Sequence, residues 1–344
     1  MTSSLATVEP AGAEGPPSLT ERIVNRRTLA SLAAAAVIVG VAVWRAPIDW
    51  ADAWHRILHA NPLLYLAAVA VYYASFLVRA YRWHVLLTNA GEERPTRPLI
   101  GIIVTSFFVN CVVPAKMGDV YRAYLARVKL QVSGAKAFGT IIAERLLDLC
   151  VLMALLIAAG AVVFWHRAPG VLVPYVLAGT LVCLAGVGVI LTMRAGRGQR
   201  LLRLLPEAIF HRYENFRVGT VHSLGRFTTL GVTTVAVWMC EGARLGLVVW
   251  ALGITGLGAS QFLLIALVAA LLTTIPFLPG GLGLVEAGMV GVLIAVGGIG
   301  QQAAISVALL DRSISYGSVV VIGFVVFMVT HLQSARPQPA PVGS

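Results

Sequence analysis

Apolar residues run through this chain in blocks of roughly 16 to 29 positions, separated by basic or Gly/Pro-rich connections, the pattern of repeated membrane crossings. The blocks are Thr28–Trp44, Pro62–Val78, Pro98–Val113, Thr140–Trp165, Val171–Met193, Thr229–Leu252, Ser260–Ile275, Leu284–Gly300 and Gln302–Thr330. Each predicts a helix. Thr28–Trp44 follows Arg22, Arg26 and Arg27 as a signal peptide would, but it is long and ends in Arg45-Ala46-Pro47, not in a small-residue cleavage site. It reads as a retained first helix. The predicted organisation is a disordered tail over 1–27, one transmembrane domain over 28–330 and a second tail over 331–344. The fold class is an all-α polytopic integral membrane protein with about six to eight crossings plus re-entrant or broken helices.

Two places break the pattern. Pro98–Val113 spans ~24 Å as a helix, short of a ~30 Å hydrocarbon core, and both its flanks are basic, so it is expected to dip in from the cytoplasm and return. Pro114 removes a backbone donor just beyond it and Gly118 permits a turn. Ser260–Ile275 and Leu284–Gly300 form a second short pair around Pro276–Gly283, where two prolines and three glycines forbid a regular helix. Pro114 lies 31 residues before Arg145, and Pro279 lies 33 before Arg312. That spacing reads either as an inverted repeat with a central site or as coincidence in a chain with 26 basic residues.

Composition supports the membrane reading. Of 344 residues, 58% are hydrophobic and 12% charged, against about 25% charged in a soluble domain. Mean hydropathy is +0.84. The net charge of +11 is carried largely by the basic connections and tails, where 20 of the 26 Lys and Arg fall. That distribution reports orientation and contact with anionic lipid at the cytoplasmic face, not nucleic-acid binding, and puts both termini in the cytoplasm of a cell-membrane protein. Cys111, Cys150, Cys183 and Cys240 are dispersed within apolar segments, and the seven histidines are scattered, so no disulfide framework, metal or cofactor is expected.

Several charges stand where the hydrocarbon should be: Glu144, Arg145, Asp148, Glu241, Arg244, Glu286, Asp311 and Arg312. Each costs about 2.5–3.5 kcal/mol at a helix centre, so they must face a protein interior or a wet cavity and pair there. Glu241 and Arg244, at i and i+3, can neutralise each other locally. Glu144 and Asp148, at i and i+4, repel unless a cation joins them; Arg145, Arg312 and Arg122 are the candidates. Asp119 and Arg122 sit beside the first break, and Val120–Leu130 reads as an interfacial amphipathic helix with Val120, Tyr124, Leu125 and Val128 on one face. Glu286 falls in the first turn after the second break, as a cap or as a ligand group. Arg79, Arg82 and Trp83 at the end of a predicted helix read as an interface anchor. An acid pair with arginines suits a zwitterionic or anionic headgroup, because arginine offers a permanently charged fork for phosphate. The expected lipid-binding residues are therefore Asn110, Asp119, Arg122, Glu144, Arg145, Asp148, Pro279, Gly280, Gly281, Glu286, Asp311 and Arg312.

Together, Arg79-x-x-Arg82-Trp83, Asn110-x3-Pro114-x3-Gly118-Asp119-x2-Arg122, Glu144-Arg145-x2-Asp148 and Pro276-x2-Pro279-Gly280-Gly281-x-Gly283-x2-Glu286 resemble the flippase-like transmembrane family. This is the transmembrane region of lysylphosphatidylglycerol synthases and their stand-alone relatives; Arg312 with Tyr316 is similar to its late-helix motif. The resemblance covers about residues 28–330. It implies a prokaryotic cytoplasmic-membrane protein that handles or translocates phospholipid or lipid-linked intermediates. The soluble aminoacyl-transfer domain of the full synthases has no counterpart here, so the chain is expected not to be an enzyme. The competing readings are a non-transporting scaffold, as a homo-oligomer or beside a partner enzyme, and a membrane glycosyltransferase acting on a lipid-linked sugar, with Asp49 and Asp52 as its outward-loop acids.

Overall fold

The computed structural model describes residues 49–164, 173–196, 206–274 and 279–334. The predicted N-terminal tail, the predicted helix Thr28–Trp44 and Pro276 lie outside them. No strand occurs among the described residues. Among the described residues, six helices are long and apolar enough to cross a bilayer: Pro62–Asn89, Gly134–Val163, Val176–Arg194, Phe227–Ala251, Pro279–Gly297 and Gln301–Val329. The protein is thus an all-α multi-pass membrane protein.

The chain enters through a short helix, α1 (Trp50–Leu58), capped by Asp49, whose carboxylate accepts the Ala51 and Asp52 N–H groups at 3.0 Å. Asp52 pairs with Arg56 at 2.8 Å. The two outward-loop acids are therefore engaged in a cap and a helical ion pair. Asn61 caps α2 (Pro62–Asn89) by accepting from Leu63 and Leu64, and Pro62 supplies the first helical residue, where its missing N–H costs nothing. α2 does not stop at Val78 as hydropathy predicts. No helix breaker stands between Val78 and Gly91, and the polar residues there turn inward: Arg79, Arg82 and Trp83 are buried. They are part of the core and not an interface anchor.

The first broken element is a helical hairpin. α3 (Thr96–Val112) ends before Pro114, and α4 (Met117–Leu130) folds back against it. Gly118 makes the close approach. Its N–H donates to Asn110 Oδ1 at 2.8 Å, and its carbonyl accepts the Ser106 hydroxyl at 2.8 Å. α4 is amphipathic, but its faces differ from the predicted ones. Val120, Tyr124 and Val128 form the exposed stripe, whereas Leu125 is buried beside Arg122, Ala123 and Ala126.

α5 (Gly134–Val163) and the peripheral α6 (Val173–Arg194) follow, then α7 (Glu207–Val221), a helix inside a connection expected to be a basic loop. α8 (Phe227–Ala251) packs along α2. α9 (Ala259–Thr273) and α10 (Leu284–Gly297) form the second hairpin, with a 3-10 turn at Pro279–Gly281 leading into α10. The last crossing is α11 (Gln301–Arg312), a π-helical stretch over Ser313–Ser318 and α12 (Val319–Ser334), which runs past the predicted end at Thr330.

The principal core joins α2, α3, α5, α8, α10 and α11 through residues such as Phe76, Trp83, Leu86, Ile103, Ile141, Leu245, Val248, Leu293 and Val307. A second cluster, with Leu152, Met153, Leu156, Trp238, Leu264 and Leu267, ties α5 to α8 and α9. Large apolar side chains such as Leu63, Leu66, Leu177, Leu181 and Val321 face outward. In water this surface would drive aggregation; in lipid it is the solvent-matched face.

Candidate functional site

The membrane-depth charges assemble into two ion-pair networks with the same plan. In the first, Arg82 of α2 is fully buried. It reaches two acids of α5, Asp148 at 2.5 Å and Glu144 at 2.7 Å, and the Thr234 hydroxyl at 3.0 Å. Arg122 of α4 takes the other Glu144 oxygen at 2.9 Å, with its guanidinium 3.9 Å from the centroid of the Trp83 ring. Trp83 in turn donates to Thr140 at 3.1 Å. Arg145 contacts Asp119 at 3.4 Å and Asp148 at 3.5 Å. The cation that joins the Glu144/Asp148 pair by hydrogen bonds is therefore Arg82. Of the three expected candidates, Arg145 contacts both acids more loosely, at 3.9 and 3.5 Å, Arg122 holds Glu144 alone, and Arg312 has no part in it.

In the second network, Arg244 of α8 reaches Asp311 of α11 at 2.6 Å and Glu241 at 2.9 Å. The other Glu241 oxygen takes Arg79 of α2 at 2.9 Å. The predicted local Glu241–Arg244 pair is present, but it is one link in a chain from α2 to α11. Arg312 reaches Glu286 at 2.7 Å and the Gly280 carbonyl at 2.8 Å, and Glu286 also accepts the Gly283 N–H at 2.6 Å. Glu286 is thus both helix cap and arginine partner.

The correspondence is close. In each half a long-helix arginine (Arg82 or Arg244) holds the acid of an acid-arginine dipeptide (Glu144-Arg145 or Asp311-Arg312). The arginine of that dipeptide reaches back to an acid in the first turn after the hairpin break (Asp119 or Glu286). The reach-back is 26 residues in both cases. This shared contact plan favours the repeat over coincidence.

Between the networks lies a cavity of about 210 Å³. Of the expected site residues, Asn110, Arg145, Gly280, Asp311 and Arg312 line it, joined by Arg79, Lys116, Trp238, Glu241, Arg244 and Tyr316. Asp119, Arg122, Glu144, Asp148, Pro279, Gly281 and Glu286 do not reach its wall. The ionised ones hold the lining arginines or their neighbours in place, and Pro279 and Gly281 are buried in the turn. The two hairpin breaks meet at the cavity. Tyr316 donates to the Cys111 carbonyl at 3.2 Å, and a Cβ on Gly280, whose φ is +57°, would fall 2.6 Å from the Tyr316 ring. Sequence reasoning missed Arg79, Arg82 and Lys116 because it took them as members of basic connections.

The first break carries backbone strain. Ala115 and Lys116 both adopt left-handed conformations, φ +62° and +51°, which cost non-glycine residues about 1–3 kcal/mol each. Ala115→Gly removes the Cβ penalty at one of them. It should raise the apparent melting temperature of the detergent-solubilised protein by a few degrees, as thermal unfolding would show. A lower value would mean that the Ala115 methyl packs usefully.

No group of three or more His, Cys, Asp or Glu side chains able to hold a metal occurs among the described residues. What the fold and cavity define is a multi-pass α-helical membrane protein with an arginine-rich polar chamber at the meeting point of two helical hairpins. The chain belongs to the lysylphosphatidylglycerol synthase TM region family, whose family model matches residues 29–323. It is 30% identical to a UPF0104 membrane protein of Methanocaldococcus jannaschii, over 64% of this chain and 94% of that one. It is 27% identical to a UPF0104 membrane protein of Methanothermobacter thermautotrophicus, over 88% and 93%. It is also 24% identical to the glycosyltransferase AglD of Haloferax volcanii, over 89% of this chain and 55% of that protein.

The last likeness corrects the expectation that the chain is not an enzyme. That expectation rested on the missing aminoacyl-transfer domain. Yet a relative aligned with nearly all of this chain is a glycosyltransferase, so a membrane domain of this kind is compatible with an enzymatic role.

Proposed function

We propose that this protein binds the charged headgroup of a phospholipid or lipid-linked intermediate in the central cavity and carries it across the cytoplasmic membrane. The observation that carries the reading is the cavity lining. Five cations (Arg79, Lys116, Arg145, Arg244 and Arg312) face two carboxylates (Glu241 and Asp311), and they come from both halves of the fold. Acids behind the wall (Asp119, Asp148 and Glu286) compensate two of these cations, so Lys116 remains as the excess positive charge. In a low-dielectric chamber it favours an anionic guest, and guanidinium forks match phosphate oxygens. The cavity, about 210 Å³, suits a headgroup and excludes a whole lipid. Acyl chains therefore stay in the bilayer while the headgroup passes. The basic connections face the cytoplasm in this reading, and the exposed Val120/Tyr124/Val128 stripe of α4 rests among lipid tails.

The test is translocation of fluorescent acyl-chain-labelled phospholipid in proteoliposomes, comparing the native chain with Arg312→Gln and Glu286→Gln. Transport by the native chain that falls at least tenfold in both variants, with insertion unchanged, is the expected result. Native protein that moves no headgroup would remove the transport reading. A second reading is favoured by the alignment with a glycosyltransferase: the same chamber presents a lipid-linked sugar for glycosyl transfer. Sugar transfer to or from a lipid carrier by the purified chain, without flipping, would select it.

A further inference from the structure

The two networks balance their charges. The first holds three arginines (Arg82, Arg122 and Arg145) and three carboxylates (Asp119, Glu144 and Asp148). The second holds Arg79, Arg244 and Arg312 against Glu241, Asp311 and Glu286. Neither needs an outside ion. Lys116 belongs to neither count, although Asp119 and Asp148 of the first network attract it from beyond ion-pair distance. It lines the cavity, and among the described residues its ammonium has no carboxylate within 4.0 Å and no hydrogen-bond partner. It is also held in a strained left-handed conformation at the break between α3 and α4, which fixes where the side chain starts.

Arg145 is the second loosely held cation. Its contacts are ion pairs of 3.4–3.9 Å, none with hydrogen-bond geometry, so its buried Nε, though 3.4 Å from Asp119, makes no hydrogen bond. It lies near enough to Lys116 for the two to repel. The other arginines on the cavity wall all donate short hydrogen bonds to carboxylates. Arg79 and Arg244 also have an Nε without a hydrogen bond, but each is anchored to a carboxylate through another nitrogen, whereas Arg145 and Lys116 are anchored by no hydrogen bond at all.

We propose that Lys116 and Arg145 form the anion subsite of the cavity, and that the subsite takes one phosphodiester of net charge −1. This inference rests on the headgroup-binding reading above and names its ligand class. A monoanion brings the chamber to neutrality. A zwitterionic headgroup also offers a phosphate, but adds a second ammonium that leaves the Lys116 charge uncompensated. A free phosphate offers the same oxygens with more charge and no tail to hold it.

The probes are dihexanoyl phosphatidylglycerol, dihexanoyl phosphatidylcholine and inorganic phosphate. Each is titrated by calorimetry into the full chain in nanodiscs at neutral pH. Phosphatidylglycerol should bind the native chain at least about tenfold more tightly than the other two. Lys116→Gln should lose about tenfold in that affinity, close to one charge-assisted contact, and Lys116→Arg should recover it. Because Lys116 has no ion-pair or hydrogen-bond partner to lose and is repelled by Arg145, Lys116→Gln should melt no lower than the native chain.

Arg145→Gln should weaken phosphatidylglycerol as well, with phosphatidylcholine unaffected. Unchanged phosphatidylglycerol affinity in Lys116→Gln would overturn the subsite and leave the headgroup reading standing. Equal affinity for phosphatidylcholine would overturn the charge-balance argument. Inorganic phosphate binding as tightly as the lipid, and lost in Lys116→Gln, would support the subsite but overturn the lipid as its source. No binding of any probe by the native chain would sink both this inference and the reading beneath it.

Discussion

Arg82→Ala is expected to remove most of the folded protein. Arg82 is fully buried, and three of its four polar partners are carboxylate oxygens of Glu144 and Asp148. Those acids lie one helical turn apart on α5 and repel once the guanidinium is gone. Breaking a buried pair from one side typically costs about 3–5 kcal/mol, because the orphaned charge stays out of water. That is a large part of the ~5–15 kcal/mol that holds a typical domain together. Arg122 cannot substitute, since it already holds the second Glu144 oxygen and has no contact with Asp148. The measurement is monodisperse yield and thermal unfolding in detergent, and the expected result is aggregation or a drop in melting temperature of ten degrees or more. The double variant Arg82→Met with Asp148→Asn should recover part of the loss, because Glu144 then stays paired with Arg122 and the network keeps two arginines against two carboxylates. An Arg82→Ala protein that melts like the native one would mean that water reaches these acids, and the network would lose its structural role.

How much of this was legible beforehand follows from what hydropathy measures. Apolar blocks report contact with lipid or core, so each membrane helix of the described region was found. Some were placed to within a few residues, as Val171–Met193 against the observed Val173–Arg194 shows, and others less closely, as Thr140–Trp165 against Gly134–Val163. α2 is the instructive miss. Its apolar run ends at Val78, yet the helix continues to Asn89 because Arg79 and Arg82 find acids on α8 and α5. Hydropathy reads such an arginine as exposed, since the compensating carboxylate is 66 positions away in the chain. Misplaced charges were visible one at a time; their partners were not, because ion pairs are set by packing and not by spacing. The same limit hid Lys116, one basic residue among several in its connection. The repeat illustrates the converse. The approximate spacing of Pro114 to Arg145 and Pro279 to Arg312 hinted at it, but the equal 26-residue reach from Asp119 to Arg145 and from Glu286 to Arg312 emerged only when the contacts were known.

Gly118→Ala should separate the first hairpin and with it both stability and transport. A Cβ on Gly118 would lie 2.1 Å from the Ser106 carbonyl oxygen and 2.6 Å from the Asn110 amide. The first contact is with backbone inside α3, which has no side-chain freedom to yield, so α4 must back away. In doing so it loses the two hydrogen bonds that lock the limbs, Gly118 N–H to Asn110 and Ser106 hydroxyl to Gly118 carbonyl. It also carries Asp119 from Arg145 and Arg122 from Glu144, since both residues follow Gly118 in the same helix. One methyl group thereby loosens the first ion-pair network and shifts Lys116 on the cavity wall. Overpacking alone costs about 1–3 kcal/mol, and exposing the network adds to it. Gly101→Ala is the control. It lies in α3 as well, a Cβ there meets nothing within 4 Å, and it should be neutral or stabilising by roughly 0.5–1 kcal/mol. Melting temperature and headgroup translocation should both fall in Gly118→Ala and both hold in Gly101→Ala. If Gly118→Ala kept its melting temperature but lost transport, the hairpin would be a moving part whose closed form tolerates the extra methyl. If it kept both, the close approach at Ser106 would have no role in either.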